Sequence, residues 1–326
     1  MSAARENILV TGGAGFVGSH FVRVAHEVGS HLVLLDDLSS GPHPQLPSDV
    51  VFVRGDIGDR ALVSKLIREH RITAITHFAG KTEVGESVRN PERYFDHNLI
   101  RTHALLDVVR SDGPGVFVFS SSAAVYGNPV NVPIVETAAI APINPYGMSK
   151  LGVEHALASY AVSSGLRWAA LRYFNAAGAH PDGTLREAHE PETHLIPLAI
   201  DAALGRRSPL AIFGDDYLTP DGTCIRDYVH VCDVADAHLA AIDALDRGET
   251  VAAVNLGSGV GFSVREVIDA IPRVLGRAVP HSIVSRRPGD PATLVASNAH
   301  ARAVLGWHPR RDHLAVILED AARSRL

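Results

Sequence analysis

The chain has 326 residues, of which 46% are hydrophobic and 20% are charged. A chain of this length buries a sizeable core, so disorder and collagen-like repetition are excluded and no disulfide or structural metal is needed for stability. The 30 Lys and Arg residues against 36 Asp and Glu residues give a net charge of −6 without a basic run. We therefore expect no nucleic-acid partner.

The cysteines and the first residues bear on the cellular compartment. Cys224 and Cys232 are too few for a disulfide framework and lack the paired spacing of a zinc site, so we expect reduced thiols and no metal. The first ten residues carry charges at Arg5 and Glu6, and no apolar run has the length of a signal peptide or a membrane span. We expect a cytoplasmic protein with no membrane partner.

Short apolar runs alternate with helix-length amphipathic segments through the first half of the chain. The predicted strands are Ile8–Val10, Leu32–Leu35, Val50–Val53, Ile72–Phe78, Val116–Phe119 and Trp168–Tyr173. Uninterrupted aliphatic and β-branched runs suit strands that are buried on both faces, and their alternation with helices predicts right-handed βαβ units. We predict an α/β protein with a doubly wound parallel sheet.

From about Gly178 the sequence changes in character, because prolines and glycines punctuate shorter elements. This pattern predicts a smaller, loop-rich C-terminal lobe over residues 178–326. A further apolar run at Ala252–Leu256 predicts that a segment near residues 226–257 returns to the main sheet. The two lobes would then be interleaved in sequence.

The first predicted strand runs directly into a glycine-rich turn and a helix. Gly12, Gly15 and Gly18 permit a tight turn and let the backbone approach a pyrophosphate, whose charge is met by N–H groups at the helix N-terminus. Asp36 follows 18 residues after Gly18, at the end of the second strand, and suits a ribose diol. Because the next five residues contain no arginine to balance a 2′-phosphate, we predict NAD rather than NADP.

A second cluster opens a predicted helix, where Tyr146 and Lys150 are four residues apart and share one helical face. A free phenol has a pKa of about 10, and a nearby ammonium favours the phenolate, so we predict a Tyr146 pKa shifted toward neutrality. Such a tyrosine acts as a general base. The strand ending at Ser120–Ser122 brings a hydroxyl to the carboxyl edge of the sheet, where ligands bind in such folds.

These motifs resemble those of the extended short-chain dehydrogenase/reductases, and specifically the UDP-glucose 4-epimerases. The similarity covers nearly the whole chain, and its most specific segments are Leu171–Asn175 and Gly222–Tyr228. The resemblance implies a Rossmann domain that binds NAD over residues 1–177, with the returning segment, and a lobe that binds a UDP-sugar. It also implies an isomerase of carbohydrate and galactose metabolism that is a homodimer and recycles tightly bound NAD in each turnover.

The resemblance also assigns roles to individual residues. It implies that Ser122, Tyr146 and Lys150 are catalytic. Positions that match the cofactor site are Gly12, Gly15, Phe16, Val17, Gly18, Asp36, Asp37, Asp56, Ile57, Phe78, Ala79, Gly80, Lys81, Asn98, Ser120, Tyr146, Lys150 and Phe174. Positions that match the substrate site are Ser122, Asn175, His194, Leu195, Phe213, Arg226, Arg287, Asp290 and Leu294. The arginines suit a diphosphate, because a guanidinium pairs bidentately with phosphate oxygens.

In the implied reaction, Tyr146 takes the proton of the sugar's 4-hydroxyl while C4 gives hydride to NAD, and the 4-keto sugar turns before the hydride returns to its opposite face. Dehydratases of this superfamily place an acid soon after the strand hydroxyl, whereas here Ser122 precedes Ala123 and Ala124. This favours an epimerase. A simple dehydrogenase stays open, while a non-catalytic NAD-binding protein is disfavoured because the three catalytic residues are present.

Some positions depart from the family pattern. Lys81 lies one position before Thr82, where family members carry a lysine, and Ala124 replaces a hydroxyl residue. His194 replaces an asparagine. Leu294 aligns with the family position that is thought to limit the sugar pocket. Family members with a tyrosine there use only UDP-glucose and UDP-galactose, and members with a small residue also use N-acetylated sugars. Leucine is intermediate in size, so we predict that the substrates are unacetylated UDP-hexoses, with UDP-N-acetylhexosamines and UDP-pentoses as alternatives.

The helices predicted near Pro91–Val109 and Pro145–Ser163 match those that pair into a four-helix bundle in the family's homodimers. The apolar residues that could form this seam are Leu99, Leu105, Leu106, Leu151, Val153 and Leu157. The same residues could instead face the sheet.

Overall fold

The structure is a computed structural model, and it describes residues 7–39, 46–189, 191–287 and 290–326. The strands are β1 (Asn7–Thr11), β2 (His31–Asp36), β3 (Val51–Arg54), β4 (Ala74–His77), β5 (Val116–Ser122), β6 (Arg167–Tyr173), β7 (Asn175–Ala177), β8 (Leu210–Phe213), β9 (Ile225–His230), β10 (Ala252–Leu256), β11 (Gly261–Ser263), β12 (His281–Val284) and β13 (Thr293–Leu294).

The helices are α1 (Phe16–Glu27), α2 (Arg60–Glu69), α3 (Val84–Arg89), α4 (Pro91–Tyr94), α5 (Arg101–Asp112), α6 (Pro145–Ser164), α7 (Leu195–Ala203), α8 (Val231–Asp246), α9 (Val264–Leu275), α10 (Ala299–Leu305) and α11 (Leu314–Arg323). A π-helical segment spans Phe95–Ile100, and a 3-10 turn spans Ala123–Tyr126. Among the helices described, none combines the length and apolar character that a membrane crossing requires.

The main sheet has seven parallel strands in the order β10-β6-β5-β4-β1-β2-β3. This confirms the predicted doubly wound α/β class. The strand order reverses beside β1, where Thr11 is in register with Leu35 of β2 and with His77 of β4. Ligands of such sheets bind in the crevice at this reversal, outside the carboxyl ends of the strands.

Helices cover both faces of the main sheet. Residues of α1, α8 and α10 pack on one face, and residues of α2, α5 and α6 pack on the other. Four of the six residues considered for a subunit seam are buried against this second face, namely Leu105, Leu106, Val153 and Leu157. They therefore belong to the core of one chain and not to its outer surface.

The smaller lobe has its own sheets and core. One sheet joins β11, β9 and β13 with β7, which also pairs with β9, and a parallel pair joins β8 to β12. Helices α7, α9 and α11 cover these strands. The strand β10 leaves this lobe to pair with β6 at the edge of the main sheet. The chain thus returns to the first sheet after it has begun the second lobe.

Candidate active site

A glycine-rich turn joins β1 to α1 and packs against the loop that follows β4. Gly12 has a φ of +72°, and a Cβ atom there would lie 2.4 Å from the main-chain nitrogen of Ala79. A Cβ atom at Gly18 would lie 2.2 Å from the carbonyl oxygen of Gly12. The turn therefore admits no side chain at either position, and a bound pyrophosphate can approach its backbone closely.

The N-terminus of α1 lies on a cavity of about 440 Å³. Phe16, Val17 and Gly18 line this cavity, and no side chain caps the helix at Gly15. The positive end of the helix dipole is thus available to an anion on this side of the turn. We call this space the main cavity.

A second cavity lies beside the glycine turn and shares residues of its wall, including Gly12 and Gly15, with the main cavity. Most of the predicted cofactor positions in β2, β3 and β4 or in their following loops line it, namely Asp36, Asp37, Asp56, Ile57, Phe78, Ala79, Gly80 and Lys81. The two cavities therefore adjoin each other, one on each side of the glycine turn.

The carboxylate of Asp36 is fixed at the end of β2. It accepts hydrogen bonds from the N–H of Ala14 at 2.9 Å and from the N–H of Leu38 at 2.8 Å. The side chain therefore ties the glycine turn to the loop after β2. A backbone cradle without side chains beside a positioned carboxylate fits the pyrophosphate and the adenosine ribose of NAD.

Lys81 belongs to the second cavity, whereas Thr82 lines the main cavity. The Nζ atom of Lys81 donates to Ser39 Oγ at 3.0 Å, and the N–H of Ser39 donates to Asp37 Oδ1 at 2.9 Å. Burial raises the pKa of Asp37, but the hydrogen bonds from Ser39 and the charge of Lys81 outweigh it, and the pKa falls below its ordinary value. Lys81 therefore faces the adenosine side of the site.

Asn98 is buried in the π-helical segment and holds the loop that carries Lys81. Its Oδ1 accepts the N–H of Lys81 at 2.7 Å, and its Nδ2 donates to the carbonyl of Lys81 and to Ser149 Oγ, both at 3.0 Å. The side chain thus supports the cavity wall from within the protein. Its predicted contact with the cofactor stays a prediction.

The start of α6 sets the position of Tyr146. The side chain of Asn144 caps the helix by accepting the N–H of Gly147 at 2.8 Å, and Pro145 occupies the first turn. A Cβ atom at Gly147 would lie 2.5 Å from the carbonyl oxygen of Ala124. This close packing brings the helix onto the 3-10 turn that follows β5.

The predicted catalytic residues meet where β5 ends. Ser120, Ser122 and Tyr146 line the main cavity. The Nζ atom of Lys150 donates to the carbonyl of Ser120 at 2.8 Å and lies 5.8 Å from the ring centre of Tyr146. The structure therefore brings these four residues together, although β5 and α6 are separated by more than twenty residues.

The surroundings of Tyr146 and Lys150 shift both pKa values in the direction that favours the uncharged side chain. Burial raises the pKa of Tyr146, which the Ser122 hydroxyl partly offsets. Burial lowers the pKa of Lys150 to about 8, against the charge of Glu154. The predicted downward shift of the Tyr146 pKa is therefore wrong for this chain without cofactor, because burial of the phenol outweighs its hydrogen bond with Ser122.

A buried ion pair that sequence reasoning missed lies next to these residues. Arg172 of β6 donates to both carboxylate oxygens of Glu154, at 3.0 and 2.6 Å, and to the hydroxyl of Tyr126 at 2.8 Å. Ser121 also donates to Glu154, at 2.5 Å. The network joins β5, β6 and α6. The sequence pattern that could have revealed this ion pair is the four-residue spacing of Lys150 and Glu154, which places both on one face of α6.

The smaller lobe supplies the far wall of the main cavity. Arg226 of β9 forms a salt bridge with Asp290, and the Arg287 guanidinium lies 3.8 Å from the ring centre of Phe213. The predicted substrate positions on this wall are Asn175, His194, Leu195, Phe213, Arg226, Arg287 and Asp290, and Phe174 lies there too, while Ser122 lines the cavity from the end of β5. Two guanidinium groups thus face the space that opens toward Tyr146.

Arg286 and Leu294 are close in sequence to residues of this wall, but neither is among the described residues that line the main cavity. Arg286 pairs with Asp216 at 2.5 Å and stacks on Tyr217, so the neighbouring arginines have separate surroundings. Leu294 of β13 is half-buried and packs against the apolar cluster of the 3-10 turn that also contacts Phe174. Leu294, which was predicted to contact the substrate, is not among the described residues that line the main cavity.

A charged cluster at the start of α7 was not predicted, although His194 itself was. Glu187 is buried and accepts a hydrogen bond from His194. Burial raises the pKa of Glu187, but His194 and His189 outweigh it and lower that pKa to about 2. Both Glu187 and His189 line the main cavity. The loop that carries them shows no periodicity, so no sequence pattern marked them.

Comparison with known proteins defines the class. The profile of the NAD dependent epimerase/dehydratase family matches residues 8–257. The chain therefore belongs to this family.

Relatives that match nearly the whole chain refine that assignment. The chain is 50% identical to the UDP-glucose 4-epimerase of Rhizobium meliloti over 316 residues, which are 97% of this chain and 96% of the relative. The UDP-glucose 4-epimerase of Brucella ovis, solved with NAD, has a TM-score of 0.94 and 48% identity, with 97% of each chain covered. The enzyme of Stenotrophomonas maltophila, solved with NAD and formylated UDP-arabinopyranose, has a TM-score of 0.93 and 40% identity, with 98% of each chain covered. The predicted relation to the UDP-glucose 4-epimerases is confirmed.

Proposed function

We propose that this protein interconverts UDP-glucose and UDP-galactose by NAD-dependent epimerisation at C4 of the sugar. The observation that carries the proposal is one cavity that runs from the glycine turn, past Tyr146 and Ser122, to Arg226 and Arg287 of the smaller lobe. Such a cavity can hold a cofactor and a nucleotide sugar together. This is what a reaction needs if it oxidises and then reduces the same sugar.

In the proposed reaction, Tyr146 takes the proton from the 4-hydroxyl, helped by Ser122, and later returns a proton to the same oxygen. Bound NAD supplies the hydride acceptor and donor for C4. The arginines Arg226 and Arg287 hold the diphosphate while the 4-keto sugar turns about its link to it. Burial raises the pKa of Tyr146 in the chain alone, and the positive charges of Lys150 and of the nicotinamide ring of bound NAD would favour the phenolate in the complex.

The preferred sugars in this proposal are the unacetylated hexoses, because the relatives that match nearly the whole chain are UDP-glucose 4-epimerases. Leu294, which packs in the same apolar cluster as Phe174, is intermediate in size between tyrosine and the small residues. A UDP-pentose is the second candidate. The relative from Stenotrophomonas maltophila was solved with a formylated UDP-arabinopyranose, and the absence of a hydroxymethyl group leaves the chemistry at C4 unchanged.

The test is conversion without added cofactor. Purified protein is incubated with UDP-galactose, and UDP-glucose and protein-bound NAD are measured by chromatography or NMR. We expect conversion, and we expect Tyr146→Phe to lower kcat by about 10³-fold or more while NAD stays bound. Bound NAD without conversion of hexose, N-acetylhexosamine or pentose substrates would contradict the proposal.

A matched control lies on the same helix. Tyr160 donates its hydroxyl to Asp107 at 2.5 Å, on the side of α6 that packs toward α2 and α5. Tyr160→Phe removes one phenolic hydroxyl from α6 without touching the cavity. Its kcat should stay within about twofold of the original, since surface substitutions away from such sites have small effects.

We also propose a cytoplasmic homodimer, supported by the relation to the UDP-glucose 4-epimerases. The two cysteines are free, as expected in a reducing compartment. Ile100, Met148 and Val162 are exposed apolar residues on or beside α5 and α6, the helices predicted to pair. Sedimentation of a monomer at micromolar concentration would contradict the dimer.

A further inference from the structure

Two histidines and two glutamates converge at the start of α7, on the wall of the main cavity. One ligand atom from each of Glu187, His189, Glu192 and His194 lies within 4.8 Å of the others. We propose that these four residues bind a divalent transition-metal ion of the zinc class. The inference departs from the expectation that the chain has no metal ligands, and it does not depend on the proposed reaction.

The separations match a small coordination sphere. His189 Nδ1 lies 3.3 Å from Glu187 Oε1 and 3.8 Å from Glu192 Oε1, and His194 Nδ1 lies 3.8 Å from the same Glu192 atom. Zinc ligands at about 2.0 to 2.1 Å in a tetrahedron are about 3.4 Å from one another. The direct hydrogen bond between His194 and Glu187 has to lengthen for an ion to enter.

The cluster holds polar atoms that the protein does not satisfy. Within the described residues, His189 Nδ1 and Glu192 Oε2 are buried without a hydrogen-bond partner, and Arg325 lies 3.7 Å from the latter. The arginine faces Oε2, whereas Oε1 accepts the N–H groups of Thr193 and His194, at 2.9 and 3.0 Å, and lies 3.8 Å from both imidazoles. A buried nitrogen of this kind normally has a partner, and an ion would provide one.

The donor set selects the class of ion. Two imidazoles with two carboxylates suit zinc, cobalt or nickel, whereas calcium and magnesium prefer sites built only from oxygen. The two carboxylates balance the charge of a divalent ion when both imidazoles are neutral. The side chains of Glu187 and Glu192 are 5% and 14% exposed, and their charges are balanced by the two imidazoles and by Arg325, so a divalent ion would take the place of the protons on the imidazoles.

The binding experiment uses the full chain after EDTA treatment and removal of the chelator. Zinc chloride is titrated by calorimetry, and cobalt chloride is followed by its visible absorption, with magnesium chloride as the hard-cation comparison. We expect one zinc ion per chain, a cobalt spectrum of four-coordinate intensity and no binding of magnesium. A weak six-coordinate cobalt spectrum would overturn the proposal.

Variants separate this site from the other histidines of the chain. His189→Gln should weaken zinc binding by more than about 100-fold, since even changes outside the ligand set cost about 10- to 100-fold. Glu192→Gln keeps the side-chain shape and should give the same loss if His189→Gln does not fold. His313→Gln, at an 85% exposed side chain, is the control and should bind like the original protein. If the original protein and the three variants bind zinc equally well, zinc binds only at surface histidines, and the proposed site is refuted.

Discussion

The two walls of the main cavity are built in different ways. The wall on the side of the glycine turn, which we propose for the cofactor and call the cofactor wall, includes Gly12 and Gly18, where backbone contacts leave no room for a Cβ atom. The wall on the side of the smaller lobe, which we propose for the substrate and call the substrate wall, combines apolar side chains with Arg226, Arg287 and His194, each from a different segment. Close backbone packing therefore fixes the shape of the cofactor wall, whereas pairing between side chains fixes the positions of the charges on the substrate wall.

The buried histidines differ in the same way. In the layers around the main sheet, burial lowers the pKa of His20 and of His238 to about 4 and that of His77 to about 3, so these imidazoles are neutral. At the start of α7, Glu187 and Glu192 outweigh burial and raise the pKa of His189 to about 10. His230 of β9 behaves like the first group, because burial lowers its pKa to about 4. The cluster at α7 therefore differs from the other buried histidines in having carboxylates that compensate its charge.

The largest expected effect is a steric one on the cofactor wall. Gly12→Ala forces a left-handed conformation that costs about 1 to 2 kcal/mol, and its Cβ atom would collide with the backbone at Ala79. We expect a lower Tm and loss of bound NAD, measured by thermal unfolding and by absorbance of the extracted cofactor. Gly85→Ala, where a Cβ atom meets only an arginine nitrogen at 3.8 Å, should change neither. Full retention of NAD by Gly12→Ala would show that this wall tolerates side chains.

A smaller effect is expected from charge on the substrate wall. Arg287→Ala should raise KM for the UDP-sugar by about 10- to 100-fold, since a hydrogen bond to a charged group contributes about 1.5 to 3 kcal/mol. Its neighbour provides the control, because Arg286 forms an exposed pair with Asp216. Arg286→Ala should raise KM by less than about fivefold. Equal effects of the two substitutions in steady-state kinetics would contradict the separation of these arginines.

The neutral histidines predict a loss of stability in acid. His20 has a folded-state pKa of about 4 against an ordinary value of 6.5, so the unfolded chain binds more protons between these values and stability falls as pH falls through this window. At pH 5 this costs about 2 kcal/mol. His20→Gln should therefore lose about 2 kcal/mol less between pH 7 and pH 5 in urea unfolding. The exposed-site variant His313→Gln should behave like the original, and identical losses in His20→Gln would refute the assignment.

The smallest expected effect concerns sugar choice. Leu294→Tyr should lower turnover of N-acetylated sugars relative to unacetylated sugars by about 3- to 10-fold, because a larger side chain in the cluster that also contacts Phe174 would leave less room for an acetamido group. The measurement is the ratio of kcat/KM for UDP-N-acetylgalactosamine and UDP-galactose. An unchanged ratio would remove Leu294 from the determinants of specificity.

Local patterns were enough to predict the main sheet and the glycine turn between β1 and α1. Buried strands appear as apolar runs, and a glycine turn with Asp36 after it lies within consecutive elements. The helical spacing of Tyr146 and Lys150 likewise placed them on one face. These features depend on contacts between residues that are near in sequence or on elements whose order follows general rules.

Pairing between distant segments could not be predicted in this way. The bonds from Arg172 to Glu154 and the stacking of Arg287 on Phe213 depend on how separate elements pack. The pKa of Tyr146 depends on burial, which spacing alone does not reveal. The inward direction of Leu105 likewise depends on the orientation of α5 against the sheet.

The central claim is that one cavity holds both the hydride carrier and the sugar through the whole reaction. The most direct test is turnover of UDP-galactose deuterated at C4, in ordinary water and without added cofactor. The account predicts UDP-glucose that keeps its deuterium at C4, as seen by NMR and mass spectrometry. Product that has lost deuterium to the solvent would contradict it, because the hydrogen would then have left C4 as a proton or on a cofactor that exchanges.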